Sequence, residues 1–261
     1  MLLAFDVGNT NIVVGVFDDG KLIYDARLQT DRQKSTDEYG MLIKQLFAHA
    51  GLSMEDVTDI IIATVVPPVL FTLQHLSQKY FGINPIVVAS GIKTGLIVKY
   101  DNPKQLGADR IVNAVAAVHK YGGPVIVIDT GTATTFCAVT EKGEYLGGAI
   151  APGLKISADT LFSRTAQLPN VELERPAKVI NRNTNGCMQS GLIYGHMGMV
   201  EYIVRKMKEE LAEYAVSDKP ITVVATGGMA GMIETGVDCI DYIDRELTLD
   251  GLLLLYEKNK R

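Results

Sequence analysis

Leu2-Leu3-Ala4-Phe5-Asp6-Val7-Gly8-Asn9-Thr10-Asn11 opens the chain, and Val125-Ile126-Val127-Ile128-Asp129-Thr130-Gly131-Thr132 restates it 123 positions later. In each copy an apolar run ends in an acid, and a glycine follows two positions on. Short apolar runs bounded by turn residues read as buried strands. A second apolar run follows each turn, Ile12 to Phe17 and Ala133 to Val139, so each copy reads as a hairpin. Laid over one another without a gap, Asp6 meets Asp129, Gly8 meets Gly131, Val16 meets Val139 and Gly20 meets Gly143, with Asn9-Thr10 against Thr132-Ala133. Self-similarity at nearly half of 261 residues predicts two copies of one supersecondary unit. The expectation is two similar α/β domains facing each other, residues 1–121 and 122–261, with Gly122-Gly123-Pro124 at the break.

The stretches between the hairpins alternate in period. Lys21 to Gln29 reads as a third strand, and Ser35-Thr36-Asp37-Glu38 offers a capping box before a helix over Tyr39 to Ala50. Asp59 to Val66 reads as a buried strand that Pro67-Pro68 stops, opening a helix that carries Phe71 to Tyr80. Pro85 to Ala89 is a further strand and Leu106 to Tyr121 a helix with an acidic first turn. Gly147 to Gly153 reads as turn and loop, followed by a helix to about Gln167. A long helix runs from about Cys187 to Tyr214, Ile221 to Ala225 is a late strand, and the last helix covers Thr248 to Lys258. Alternating strands and helices place the chain in the α/β class.

Bulk properties narrow the function classes. Apolar residues make up 47% of the chain, enough for a substantial core, and the net charge of -5 argues against nucleic acid or an anionic membrane as partner. Cys137, Cys187 and Cys239 lie far apart with no Cys-x-x-Cys pair, which fits a reducing cytoplasm. His49, His75, His119 and His196 show no zinc-ligand spacing. Asp6 interrupts the opening apolar run and no basic region precedes it, a poor signal peptide. No apolar run approaches the roughly 18 residues of a membrane helix. P-loop, dinucleotide and serine-hydrolase motifs are absent from the sequence.

Three constellations remain. In the Asp-x-Gly turns, glycine lets backbone come close to an anion, Asn and Thr add donors, and the acid suits a hard cation. One such hairpin alone reads as an ordinary tight turn; two at matched positions, with the late Gly-Gly turn, favour a phosphate site. Thr226-Gly227-Gly228-Met229-Ala230 follows a strand and reads equally as a strand-to-helix turn or as a backbone against which a ribose or adenine lies. Gly107-Ala108-Asp109-Arg110 begins a helix. Asp109 there is either a helix-terminal acid or a proton acceptor for a substrate hydroxyl, and Arg110 either a surface residue or a grip on an anion.

These residues resemble the acetate-sugar kinase, Hsp70 and actin superfamily, and within it the type III pantothenate kinases. The resemblance rests on Asp6 to Asn11, Val65-Val66-Pro67-Pro68, Tyr100-Asp101-Asn102-Pro103, Gly107 to Arg110, and Asp129 to Thr134. Gly147 to Gly153, Asn183-Thr184 with Met188-Gln189-Ser190-Gly191, and Thr226-Gly227-Gly228 complete it. It implies two duplicated RNase H-like (actin-like ATPase) domains, mixed sheets flanked by helices with an active-site cleft between them. It implies ATP-dependent phosphorylation of pantothenate to 4'-phosphopantothenate, the first step of coenzyme A biosynthesis. By the same resemblance Asp6, Val7, Gly8, Asn9, Thr10, Asn11 and Thr132 hold ATP, and Asp109 is the general base. Tyr100, Gly107, Ala108, Asp109, Arg110 and Thr184 bind pantothenate. Asp129 binds K⁺ or NH₄⁺ and Asp6 is a candidate for Mg²⁺. The family implies a cytoplasmic homodimer. One departure is Cys187, where the family usually has alanine before Met-Gln-Ser-Gly. A sugar kinase of the same superfamily, a slow ATP-hydrolysing binding protein, and a regulator are the competing readings. The last arises because some proteins resembling the family are described as transcriptional accessory factors.

Overall fold

β1 (Leu2–Val7) is apolar on both faces because it is central: β2 (Asn11–Asp18) pairs antiparallel on one side and β4 (Asp59–Thr64) parallel on the other. The computed structural model describes residues 1–234 and 236–260. β3 (Lys21–Gln29) flanks β2, and β5 (Ile86–Val87) flanks β4, giving the order β3-β2-β1-β4-β5. α1 (Thr36–Ala50) and α2 (Pro67–Phe81) cover one face, where Leu3, Phe5 and Val7 meet Tyr39, Ile43, Phe47, Val69 and Leu73. Ser35 and Glu38 close the expected capping box, and Pro67-Pro68 sit in the first turn of α2.

Contacts divide the chain into two units. One holds Met1–Gly95, Asn102–Ala116 and the stretch that begins at Thr248; the other holds Leu96–Asp101 and Ala117–Leu247. Helix α3 spans Ala108–Tyr121 and the last helix, α7, spans Leu247–Asn259; in the first unit their Val112 and Gly251 meet closely, since a Cβ on Gly251 would collide with the Val112 carbonyl. Gly15 of β2 in turn leaves room for Leu249, so α7 lies on the sheet face opposite α1 and α2.

The second unit repeats the topology. β7 (Val125–Thr130), β8 (Ala133–Val139) and β9 (Glu144–Pro152) are antiparallel, and β10 (Thr222–Thr226) runs parallel to β7, with β11 (Tyr242–Ile243) beyond it. β6 (Ile97–Val98) adds an edge next to β9. α4 (Leu154–Arg164), α5 (Thr184–Leu211) and α6 (Ala230–Glu234) bury their apolar faces with Ile126, Ile128, Phe136, Val223 and Ala225. The expected mixed α/β duplication is therefore present, β1-β2-β3-β4-β5 matching β7-β8-β9-β10-β11 in order and direction.

The gapless overlay of the two copies is corrected in one respect. Val7 pairs with Ile12, leaving four residues in the first turn, whereas Thr130 pairs with Thr134, leaving three. The next turn compensates: Phe17 pairs with Leu22 and Val139 with Tyr145, so four residues face five. Val139 thus corresponds to Phe17 rather than Val16, since both pair with the first residue of the central strand. Gly20 and Gly143 keep their match, each at φ 75°.

The stretch from Gly147 to Gly153 also differs from expectation, because residues 144–152 form β9 rather than a loop. A Cβ on Gly148 would collide with the Phe136 carbonyl, so the glycine there serves a close strand approach and not a turn. α4 ends at Arg164, and residues 165–183 have no regular secondary structure. No described helix is long and apolar enough to cross a membrane.

Between β3 and α1, the buried Tyr39 hydroxyl accepts from the Asp31 N–H at 2.8 Å and donates to the Asp31 carbonyl at 2.9 Å. Tyr39→Phe leaves both backbone groups without that partner. The expected cost is roughly 1–3 kcal/mol, measured by urea denaturation; an unchanged midpoint would show that the loop does not depend on this hydroxyl.

Candidate functional site

Asp6 is the second-last residue of β1, and Asp129 is the second-last of β7. Strand pairing on both sides fixes each backbone, so each acid is presented at the carboxyl end of a central strand. That is where open α/β sheets bind ligands. Past Asp6 the turn is closed by its own hydrogen bond, Gly8 N–H to the Asn11 carbonyl at 2.9 Å. The Gly8 amide is therefore used within the turn. Thr30 braces it from the end of β3: its hydroxyl donates to the Gly8 carbonyl at 2.7 Å and its N–H to the Thr10 carbonyl at 3.0 Å. Asn9, Thr10 and Asn11 are exposed.

One residue connects this turn to Asp109. The Val65 N–H donates to the Val7 carbonyl at 3.1 Å, and the Val65 side chain lies 3.8 Å from where a Gly107 Cβ would be. A Cβ on Gly107 would itself collide with Asp109 Oδ1, so glycine is what leaves the carboxylate its place. Asp109 Oδ1 accepts from the Arg110 N–H at 2.8 Å. Burial pushes the Asp109 carboxyl above its ordinary value of 3.8; that hydrogen bond and the Arg110 charge oppose the rise without cancelling it. The Arg110 side chain is itself buried at 6% exposure, so it is no surface residue.

In the second unit, Asp129 shares its surroundings with Gly227. Gly227 has φ 92°, and a Cβ there would fall 2.5 Å from Asp129 Oδ1 and 2.7 Å from the Thr130 nitrogen. Thr130 Oγ1 donates to the Thr226 carbonyl at 2.9 Å, and the Met229 N–H reaches the Thr130 carbonyl. The Thr226-Gly227-Gly228 turn is thus built against the Asp129 strand. A Cβ on Gly153 would meet the Gly131 carbonyl at 2.7 Å, so that turn is packed from the other side too. The resulting cradle, a carboxylate beside positions that lack side chains, fits a hard cation held by oxygen. Among the described residues no three His, Cys, Asp or Glu side chains converge on a point. A single carboxylate completed by phosphate oxygens is the usual Mg²⁺ arrangement, and Asp6 suits it.

Tyr100 packs its ring 6.3 Å from Tyr145 and faces Gly147. Thr184 begins α5 behind the cap Asn183, whose side chain accepts from the Gly186 N–H. Further along α5, His196 Nε2 meets Thr134 Oγ1 at 3.2 Å, two residues past Thr132. Thr184 is twelve positions earlier, about 18 Å along the axis, and it is His196 that joins α5 to β8 at Thr134. Gln189 and Ser190 hold residues 165–183, donating to the Glu172 and Val179 carbonyls. Cys187 is exposed, while Cys137 and His196 are buried and Cys239 packs half-buried against the core of its unit.

Arg32 is the residue that sequence reasoning missed beside the first turn, its Nη2 donating to Asn9 Oδ1 at 3.2 Å. The pairing of β3 with β2 and the Asp31 bonds to Tyr39 bring it there, and no sequence spacing signals it.

The model of the type III pantothenate kinase family matches residues 2–206. A Campylobacter jejuni protein assigned to the Baf family of transcriptional activators has a similar structure, with TM-score 0.60, 17% identity and 98% of each chain covered. The ethanolamine utilization protein EutJ of Carboxydothermus hydrogenoformans gives TM-score 0.50 and 15% identity over 97% of this chain and 89% of that one. A ROK hexokinase of Thermus thermophilus gives TM-score 0.46 and 14% identity over 98% and 97% of the two chains. At 17% and 15% identity, the likeness to the first two is one of fold.

The raised Asp109 value has a consequence for stability. The unfolded chain releases this proton near 3.8 and the folded chain at higher pH, so folding loses stability as pH rises from 3.8 through the folded value. Asp109→Asn keeps the acceptor oxygen and removes the charge. It is expected to be more stable than the wild type near pH 7, with the gap narrowing as pH falls toward 3.8. Denaturation series at several pH values read this, and a gap independent of pH would contradict it.

Proposed function

The chain belongs to the type III pantothenate kinase family, and on that premise we propose that Asp109 is the general base for transfer of the γ-phosphoryl group of ATP to the terminal hydroxyl of pantothenate. Membership makes the chain a phosphotransferase of coenzyme A synthesis acting on pantothenate and ATP. The observation that supports Asp109 is its linkage through Val65 and Gly107 to the strand that ends at Asp6 and Val7. Burial adds to this, because a carboxylate held above its ordinary value is a stronger proton acceptor.

Phosphoryl transfer depends on positioning and charge stabilisation more than on covalent help. In this reading Asp6, Val7, Gly8, Asn9, Thr10, Asn11 and Thr132 hold the ATP phosphates. Tyr100, Gly107, Ala108, Arg110 and Thr184, with Asp109, receive pantothenate. Asp109 orients the hydroxyl and takes its proton on a carboxylate oxygen, while the Arg110 guanidinium supplies a fixed positive charge. Asp6 would hold Mg²⁺ and Asp129 a K⁺ or NH₄⁺ ion, which when bound offset phosphate charge. The same reading makes the protein a cytoplasmic homodimer. Gly191, Gly195 and Gly198 support the dimer: they lie along α5 where a Cβ would meet nothing among the described residues outside the helix's own backbone within 4 Å.

A coupled assay of ADP release tests the reading. Release is expected only with pantothenate, and faster in K⁺ than in Na⁺. Asp109→Asn is expected to lower kcat by roughly a hundredfold to ten-thousandfold while pantothenate binding persists. Wild-type single-turnover chemistry in that variant would remove Asp109 from the role, and turnover without pantothenate would favour a plain ATPase. Light scattering is expected to give twice the 28.3 kDa chain mass; a monomer at assay concentration would refute the dimer.

A further inference from the structure

We propose that Arg32 is part of the nucleotide site and contacts the β- or γ-phosphate of ATP from beside the Asp6–Asn11 turn; this rests on the reading of that turn as the phosphate site. The loop that carries Arg32 is held in place from three directions. Thr30 is tied to the turn through the Gly8 and Thr10 carbonyls. Asp31 is tied through its N–H and carbonyl to the buried Tyr39 hydroxyl. The Asp31 carboxylate accepts from the Gln33 N–H at 2.9 Å and from Lys34 Nζ at 3.0 Å. Arg32 is thus presented to Asn9 by an ordered loop.

Charge decides what Arg32 is suited to. Its sequence neighbour Asp31 is engaged by Lys34, and no carboxylate among the described residues pairs with the Arg32 guanidinium. Arg32 keeps one bond to Asn9 Oδ1, and a guanidinium has five N–H donors in a fork that matches phosphate oxygens. The same bond turns the Asn9 amide so that its oxygen faces Arg32, which leaves the Asn9 Nδ2 hydrogens as further donors at the turn. A full positive charge and an amide donor then flank a turn whose Gly8 N–H is already used.

Calorimetric titration of the full chain with ATP, ADP and AMP in Mg²⁺ buffer at low salt tests this, with wild type, Arg32→Ala, Arg32→Lys and Asp6→Asn. Arg32→Ala is expected to weaken ATP roughly tenfold or more with AMP unchanged, and Arg32→Lys to keep part of the affinity. Circular dichroism checks that the substitutions leave the fold intact. If Asp6→Asn weakens ATP and Arg32→Ala does not, the turn reading stands and the Arg32 proposal falls. If neither variant alters ATP binding, or the wild type binds none, the turn reading itself fails and takes the proposal with it. Equal weakening of AMP and ATP by Arg32→Ala would overturn the phosphate contact.

Discussion

Two carboxylates of this chain, Asp109 and Asp129, occupy space that a neighbouring Cβ would fill. Gly107 yields that space to Asp109, and Gly227, at φ 92°, yields it to Asp129. The consequence differs between them. At Asp109, packing around the carboxyl strips water from it and raises its proton affinity. At Asp129, the missing side chains of Gly131 and Gly227 leave one face of the carboxylate against bare backbone. A side chain at Gly107 would displace the acid, and one at Gly227 would press on the Asp129 carboxylate and the Thr130 backbone alike.

The duplication supplies two strand-end acids, but the two turns after them are not equivalent. Four residues close the first, with the Gly8 N–H bonded to the Asn11 carbonyl; three close the second, with Gly153 packed against it. The longer turn leaves Asn9, Thr10 and Asn11 in solvent, where side-chain donors can meet a large anion. The shorter one is pressed between the Gly153 and Gly227 segments, a tighter place that suits a small ion. One residue more or less in a hairpin is thus enough to divide the proposed work between copies of one unit.

Much of this was legible in the sequence, and the misses have physical reasons. The repeated Asp-x-Gly turn, the Ser35–Glu38 capping box and the Pro67-Pro68 helix start are local signals, and each formed as expected. The compensating one-residue changes in the two hairpins left no trace, because the sum of the two turn lengths is conserved and the flanking glycines still align. β9 was hidden because its glycines serve close strand approach, which composition cannot separate from a turn. β6 and β11 have two residues each, too short for any periodicity. Arg32, Thr30 and Tyr39 act across sequence distance, through β3 pairing and the α1 core, so no motif contains them.

The net charge of -5 bears on the substrate as well. A polyanion such as ATP approaches an acidic chain only where positive charge is locally uncompensated, and the surface of this one consumes much of its own. Lys34 is spent on Asp31, Lys79 on Asp37, Lys120 on Asp244 and Lys219 on Glu141. Screening at physiological salt confines such fields to about 8 Å, so what matters is charge beside the turn rather than charge summed over the chain. The Asp31–Lys34 pair, three residues apart on the loop next to Asn9, therefore does more than hold the loop. By occupying the carboxylate of Asp31 it keeps Arg32 from being neutralised by its own sequence neighbour, and it does so where the fold exposes the side chains of Asn9 and Thr10.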